Sequence, residues 1–206
     1  MSTYERKTPM SQGERTLQNR YGTKRRADAF YTNQMIDHLN PDMAQFISDQ
    51  EMVFIATSDA KGNCDNSLRA GDPGFVRILD DYTLLYPEYR GNGVMASLGN
   101  ISENPHIGLM FIDFFTHHIG LHVNGSAVII ENEDLPAIGL DADRIKQMHA
   151  EEHGRAERWV KISVDEAYIH CSKHIPHLVK KSDVTDWGTD DEKKKGGDFF
   201  NVKGRK

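Results

Sequence analysis

The side chains best suited to hold an anion lie between residues 67 and 100. Ser67 and Arg69 sit in CDNSLRAG, and Arg77 sits in FVRILD. Arg90, Asn92, Gly93, Ser97 and Asn100 follow in RGNGVMASLGN. A phosphate group is held by guanidinium forks, by hydroxyl and amide donors, and by backbone N–H groups at a helix start. All three kinds are present here. The turn is neither of the common nucleotide motifs, because both GxxxxGK(S/T) and GxGxxG are absent. The competing reading is an ordinary strand–turn–helix that carries surface arginines.

Histidine supplies a second constellation. His117, His118 and His122 cluster around one turn and strand, and His118 and His122 share a strand face by parity. His170, His174 and His177 follow with Cys171 between them, but Pro176 interrupts any helix there. No HExxH or CxxC accompanies them, so satisfied or solvent-facing histidines are expected rather than a metal site. Cys171 adjoins His170, yet neighbouring strand residues point to opposite faces, which argues against a catalytic Cys–His pair. GxSxG is absent, and no residue stands out as catalytic.

These residues need elements to position them. Asn40-Pro41 reads as a helix N-cap and first turn, with Met43, Phe46 and Ile47 on one stripe. Strands are predicted over 52–58, 64–71, 75–80, 83–89, 106–114, 119–131 and 158–171, separated by short turns such as 59–62 and 72–74. Helices are predicted over 28–39, from Val94 to Asn104, and over 133–150. Asn92 caps the second of these, and Asn104-Pro105 ends it. Gly125 marks a bulge or bend. Short links favour an antiparallel meander, with Arg69 and Arg77 on adjoining strands. The fold class expected is mainly β with peripheral helices, a small antiparallel barrel of about six strands.

A chain of 206 residues makes about one domain plus extensions. Its 38% hydrophobic content is low, and polar ends account for that. Three segments are expected: a basic arm with a short helix over 1–40, the barrel over 41–181, and a charged, flexible tail over 182–206 in which Trp187, Phe199 and Phe200 are available to dock. Residues 1–30 hold seven Lys/Arg against three Asp/Glu, while the whole chain carries a net −6. The arm is expected to pack on a partner subunit rather than on nucleic acid. Cys64 and Cys171 lack disulfide or metal spacing. With no apolar signal segment and no membrane-length apolar run, a cytoplasmic protein without a membrane partner is expected.

The ordered set from Cys64 to Phe114, CDNSLRAGDPGFVRILDDYTLLYPEYRGNGVMASLGNISENPHIGLMFIDF, followed by LHVNGSAVI, resembles the pyridoxamine 5′-phosphate oxidase-like proteins. The late stretch DEAYIHCSKHIPHL resembles that family's C-terminal signature. The likeness spans roughly residues 41–179. It implies a six-stranded antiparallel split β-barrel, a homodimer with FMN at the subunit interface, and oxidoreductase chemistry on a small molecule. By the same likeness, Ser67 and Arg69 line the flavin or its ribityl chain. Arg77, Arg90, Asn92, Gly93, Ser97 and Asn100 are the phosphate candidates, and His170, Cys171 and Lys173 approach the cofactor. The family's Ser-Arg-Lys phosphate element is replaced here by Tyr86-Pro-Glu-Tyr-Arg-Gly-Asn-Gly, which argues against the vitamin B6 reaction itself. A non-catalytic flavin sensor, and haem or a deazaflavin in place of FMN, are the alternatives.

Overall fold

β-Branched and aromatic runs broken by Asp/Gly turns form strands wherever they can bury one face. The computed structural model describes residues 11–181, 191, 197–200 and 202. Among these residues, eight strands join one antiparallel sheet: β1 (Met35–Ile36), β2 (Met52–Ser58), β3 (Cys64–Ala70), β4 (Arg77–Asp80), β5 (Thr83–Tyr89), β6 (His106–Asp113), β7 (Ile119–Ile130) and β8 (Ala156–His170). The path runs β3-β2-β6-β7-β8-β5-β4, with β1 added beside β8. The sheet curls without closing, which is a split barrel.

The hairpins β2–β3, β4–β5 and β6–β7 match the expected short turns. The meander does not hold beyond them. β3 and β4 are the two edges of the sheet, and β5 crosses to pair with β8. Arg69 and Arg77 therefore stand on opposite edges, not on adjoining strands. The link between them swings Phe75 and Val76 into the core, where both are buried. A Cβ at Gly71 would come within 2.5 Å of the Phe75 Cβ, so this crossover needs glycine. Pro87 is tolerated inside β5 because β4 pairs only as far as Leu85, leaving the proline beyond the ladder on that side.

One core fills the barrel, from Val53 and Ile55 on β2 through Leu109, Phe111, Val123 and Ile162. A second cluster lies outside it, where Leu85, Trp159 and Ile130 meet Leu135 and Met148. The latter two come from a 3-10 segment, Asn132–Ile138, and from helix α5 (Ala142–Glu151). The sequence predicts one helix over 133–150. Pro136 and the left-handed Gly139 (φ 88°) break it, and Asp141 then caps α5 by accepting from Arg144 N.

Helices α1 (Gln12–Arg20) and α2 (Lys24–Asn33) form a hairpin, and α3 (Pro41–Ser48) starts at Asn40, whose side chain accepts from Met43 N as anticipated. The helix predicted over 28–39 ends instead at Asn33. Met35 and Ile36 leave it to pair with Tyr168 and Ala167 on β8, a tertiary contact that overrides local periodicity. Phe30 packs edge-on against Tyr168 at 5.7 Å, so this part of the arm lies on its own sheet. Residues 1–10 and most of the predicted tail, Trp187 included, lie outside the described residues. Phe199 and Phe200 are exposed and pack against each other.

Gly125 is the bulge the sequence suggests: pairing shifts register between Asn124 and Gly125. A Cβ there would stand 2.0 Å from the Ser163 carbonyl oxygen. Gly125→Ala should cost about 1–3 kcal/mol by overpacking the β7–β8 ladder. Urea melts check this, and a wild-type midpoint would contradict it.

Candidate functional site

The turn after β5 builds one wall of a cleft with a volume of about 1060 Å³. Asn92 makes a local turn, its Oδ1 accepting from Val94 N at 3.0 Å. Gly93 adopts φ 81° and Met95 φ 54°, so the chain reverses sharply. Helix α4 (Ala96–Glu103) then begins, two residues later than the sequence predicts. No side chain caps it and no acid lies in its first turn, and its first residues, Ala96 and Ser97, line the cleft. Leu98 and Ile101 anchor the other face in the barrel core. Asn104 ends the helix, as anticipated, and its Nδ2 donates to Ser58 Oγ at 2.8 Å.

Ser67, Arg69, Arg90, Asn92, Gly93 and Ser97 all line this cleft. Arg69 Nη1 donates to Ser67 Oγ at 2.7 Å, and Arg69 Nε donates to Glu88 Oε1 at 2.8 Å. Glu88 is buried on β5, so this ion pair bridges the split between edge strand β3 and the opposite flank. Ser97 Oγ donates to Asp65 Oδ2 at 3.1 Å, tying α4 to β3. Arg158 on β8 lines the far side, with Glu157 beside it. Three arginines thus face three carboxylates, and Arg90 is the exposed guanidinium at the loop. Behind Glu88 lies Tyr86, fully buried, whose hydroxyl has no hydrogen-bond partner. Burial, and then the Glu88 charge, push that phenol well above its ordinary pKa and keep it protonated.

Two candidates fall elsewhere. Arg77 does not reach the cleft. It is buried over Trp159, 5.1 Å from the ring centroid, and its Nη2 donates to Glu152 Oε1 at 2.6 Å and Glu151 Oε2 at 3.1 Å. The β3–β4 crossover carries it to the second core cluster, which the assumption of adjoining strands concealed. Asn100 also lies off the cleft. It donates to Thr57 Oγ1 at 3.0 Å and fastens α4 to β2.

Four of the six candidate histidines form two pairs. His122 Nε2 and His170 Nδ1 stand 2.9 Å apart on the face shared by β7 and β8, with Tyr168 stacked on His122. His118 stacks on His177 at 3.5 Å. No group of three His, Cys, Asp or Glu side chains suited to a metal occurs among the described residues. Neither His170, Cys171 nor Lys173 lines the large cleft.

Burial first, and then the neighbouring His170, hold the half-buried His122 imidazole below its ordinary pKa of 6.5. The unfolded chain takes up that proton first as the pH falls. Stability is therefore full above 6.5 and is lost through the window beneath it. Wild type should lose stability as the pH falls below 6.5, and His122→Gln should lose less. Equal slopes in denaturant melts would contradict this.

Residues that sequence reasoning missed are Asp65, Glu88, Tyr89, Glu157 and Arg158. Strand parity places Glu88 on the same side of β5 as Tyr86, which was the available signal. Pairing of β5 with β8, which brings in Glu157 and Arg158, has no local signal.

Solved structures with this architecture include HupZ of Group A Streptococcus, with a TM-score of 0.50 and 23% identity over 68% of this chain and 99% of that one. An FMN-binding protein from Syntrophomonas wolfei aligns with a TM-score of 0.45 and 10% identity over 81% and 98% of the two chains. HutZ, the haem storage protein of Vibrio cholerae, aligns with 0.43 and 17% over 64% and 94%. At 23% identity the likeness to HupZ shows the fold alone. No curated protein matches the chain. No helix among the described residues is long and apolar enough to cross a membrane. A family model described as pyridoxamine 5′-phosphate oxidase matches residues 39–171, and the chain belongs to that family.

Proposed function

We propose that this protein is an FMN-binding flavoprotein that acts as an oxidoreductase on a small molecule. One observation carries the reading: Ser67, Arg69, Arg90, Asn92, Gly93 and Ser97 converge on a single cleft at a strand–loop–helix. Its volume is large enough for a mononucleotide, since ligand pockets typically run about 300–1,000 Å³. The residues fit such a group. Arg90, the loop backbone and the start of α4 would hold the phosphate. Ser67 and Arg69 would meet the ribityl chain or ring edge. The acids Asp65, Glu88 and Glu157 leave the cleft with little net charge, so the phosphate end is confined to the loop. Exposed Val94 and Met95 beside it supply apolar surface for a ring or a partner.

When bound, the flavin supplies the hydride chemistry. The chain's own part is to anchor, orient and shield. Family membership fixes the fold and not the reaction. The missing lysine in the loop favours a substrate other than pyridoxamine phosphate. The reading includes a homodimer with the cofactor at its interface, for which the open split and the apolar loop tip are suited. It includes a cytoplasmic location, which two exposed free cysteines fit. It includes neither nucleic acid nor membrane as partner. Reduction of the bound flavin by NADH or NADPH under anaerobic conditions, then reoxidation by a second substrate, tests the enzymatic part. Flavin binding without any turnover would leave a sensor in place of an enzyme.

The paired histidines favour a second reading, haem. His122 and His170 are partly exposed imidazoles on one face and each uses the other as partner. A Soret band on haem addition, lost in His122→Ala and His170→Ala, would support it over flavin.

A further inference from the structure

The cleft uses none of the histidines that the sequence singles out. His122 and His170 stand apart from it on β7 and β8. We propose that these two imidazoles form a binding site for a divalent transition-metal ion, with copper(II) the ion it holds most tightly. The proposal is independent of the flavin reading and shares no residue with it.

Strand geometry brings the two rings together. Leu121 and Val123 belong to the barrel core, so His122 faces outward by alternation. Ala167 belongs to the same core, so Tyr168 and His170 share that outer face. In the ladder His122 lies opposite Tyr168, and Gly120 lies opposite His170. The two histidines are therefore diagonal neighbours, which long or aromatic side chains can bridge. Gly120 leaves room for the contact. A Cβ there would stand 2.9 Å from His170 Cβ and 3.4 Å from its Cδ2, in the space beside the ring. Tyr168 stacks on the His122 ring at 4.8 Å, and Phe30 packs edge-on against Tyr168, so the plane of the His122 ring is supported.

The span between the two nitrogens suits one small ion. His122 Nε2 and His170 Nδ1 are 2.9 Å apart. Two metal–nitrogen bonds of about 2.0–2.1 Å meeting at a right angle span about 2.9 Å, whereas a tetrahedral angle needs about 3.3 Å. Right-angled nitrogen ligands belong to the tetragonal geometry of copper(II) and nickel(II), and copper(II) binds most tightly of the divalent series. The rings share a hydrogen bond without the ion, so binding requires each ring to turn toward it and one ring to change tautomer. Each neutral imidazole then carries its proton on the far nitrogen, His122 Nδ1 and His170 Nε2, and no proton is released. A haem iron takes its axial ligands from opposite faces and would use only one of the two rings; a small ion uses both. Among the described residues no third His, Cys, Asp or Glu completes a metal-binding group, so water fills the remaining positions.

The test uses the full-length protein without an affinity tag, stripped of metal by a chelator and with no flavin added. Copper(II) binding is measured by titration calorimetry with glycine as competing ligand, and by electron paramagnetic resonance without glycine. The expected result is one copper(II) per chain, with a tetragonal spectrum whose nitrogen splitting reports two imidazoles. His122→Gln and His170→Gln should each raise the copper(II) Kd about tenfold or more. His118→Gln combined with His177→Gln removes the other histidine pair and should leave both readouts unchanged. Absence of copper(II) binding to the wild type overturns the proposal. A wild-type spectrum without two nitrogen ligands does so as well, and that readout needs no variant to fold. So does wild-type affinity in either single variant, or a loss that follows His118 and His177 instead.

Discussion

Arg77→Ala should destabilise the fold by about 3–5 kcal/mol, because it leaves the Glu152 carboxylate buried without its cation. For a chain of this size that is a drop in Tm of roughly 6–20 °C. The sequence alone makes Arg77 a phosphate ligand, and the structure assigns it a different partner. The two readings predict different losses. A ligand arginine would weaken FMN binding and leave Tm near wild type. The buried arginine lowers Tm first. Replacing both charges, as in Arg77→Met with Glu152→Leu, should recover much of the loss, since a pair of apolar side chains avoids both desolvation costs. Thermal and urea melts of the single and double variants check this. A single variant that melts with wild type would return Arg77 to the list of ligands.

Arg90→Ala should have the opposite profile. The side chain is exposed at the loop, so Tm should move little. Loss of a charge-assisted contact to the phosphate should weaken FMN by about 1.5–3 kcal/mol, roughly 10- to 150-fold in Kd. Riboflavin affinity should not change, because the phosphate is what Arg90 is asked to hold. Arg90→Lys should retain part of the affinity through its charge and lose the part that depends on the planar fork. Fluorescence titration with both flavins measures all of these. An FMN affinity equal to wild type would move the phosphate to another part of the cleft, with Arg158 on the far wall the next arginine to test.

Local patterns carried most of the strands and almost none of their neighbours. β2 and β5 lie where alternation and apolar runs place them, and the bulge at Gly125 follows from a lone glycine within a long strand. Asn40-Pro41 predicted the start of α3 because capping is decided by adjacent residues. Pairing of β5 with β8 joins residues far apart in the chain, such as Leu84 and Ile162, 78 positions apart, and nothing local encodes it. That one pairing separates Arg69 from Arg77 and adds Arg158 to the cleft. The same limit applies to the site. Ser67, Arg69, Arg90, Asn92, Gly93 and Ser97 were legible because the β3 strand and the loop each carry their own signal. Glu157 and Arg158 depend on which elements fold against each other, so they emerge only from the structure.

The central claim is that the cleft beside Arg90 holds FMN. The most direct measurement is the absorbance spectrum of the purified protein, followed by mass spectrometry of whatever is released on denaturation and by FMN titration of the stripped protein. The account predicts flavin absorbance, release of FMN, and saturable rebinding that Arg90→Ala weakens. A colourless protein that shows no saturable FMN binding would contradict it.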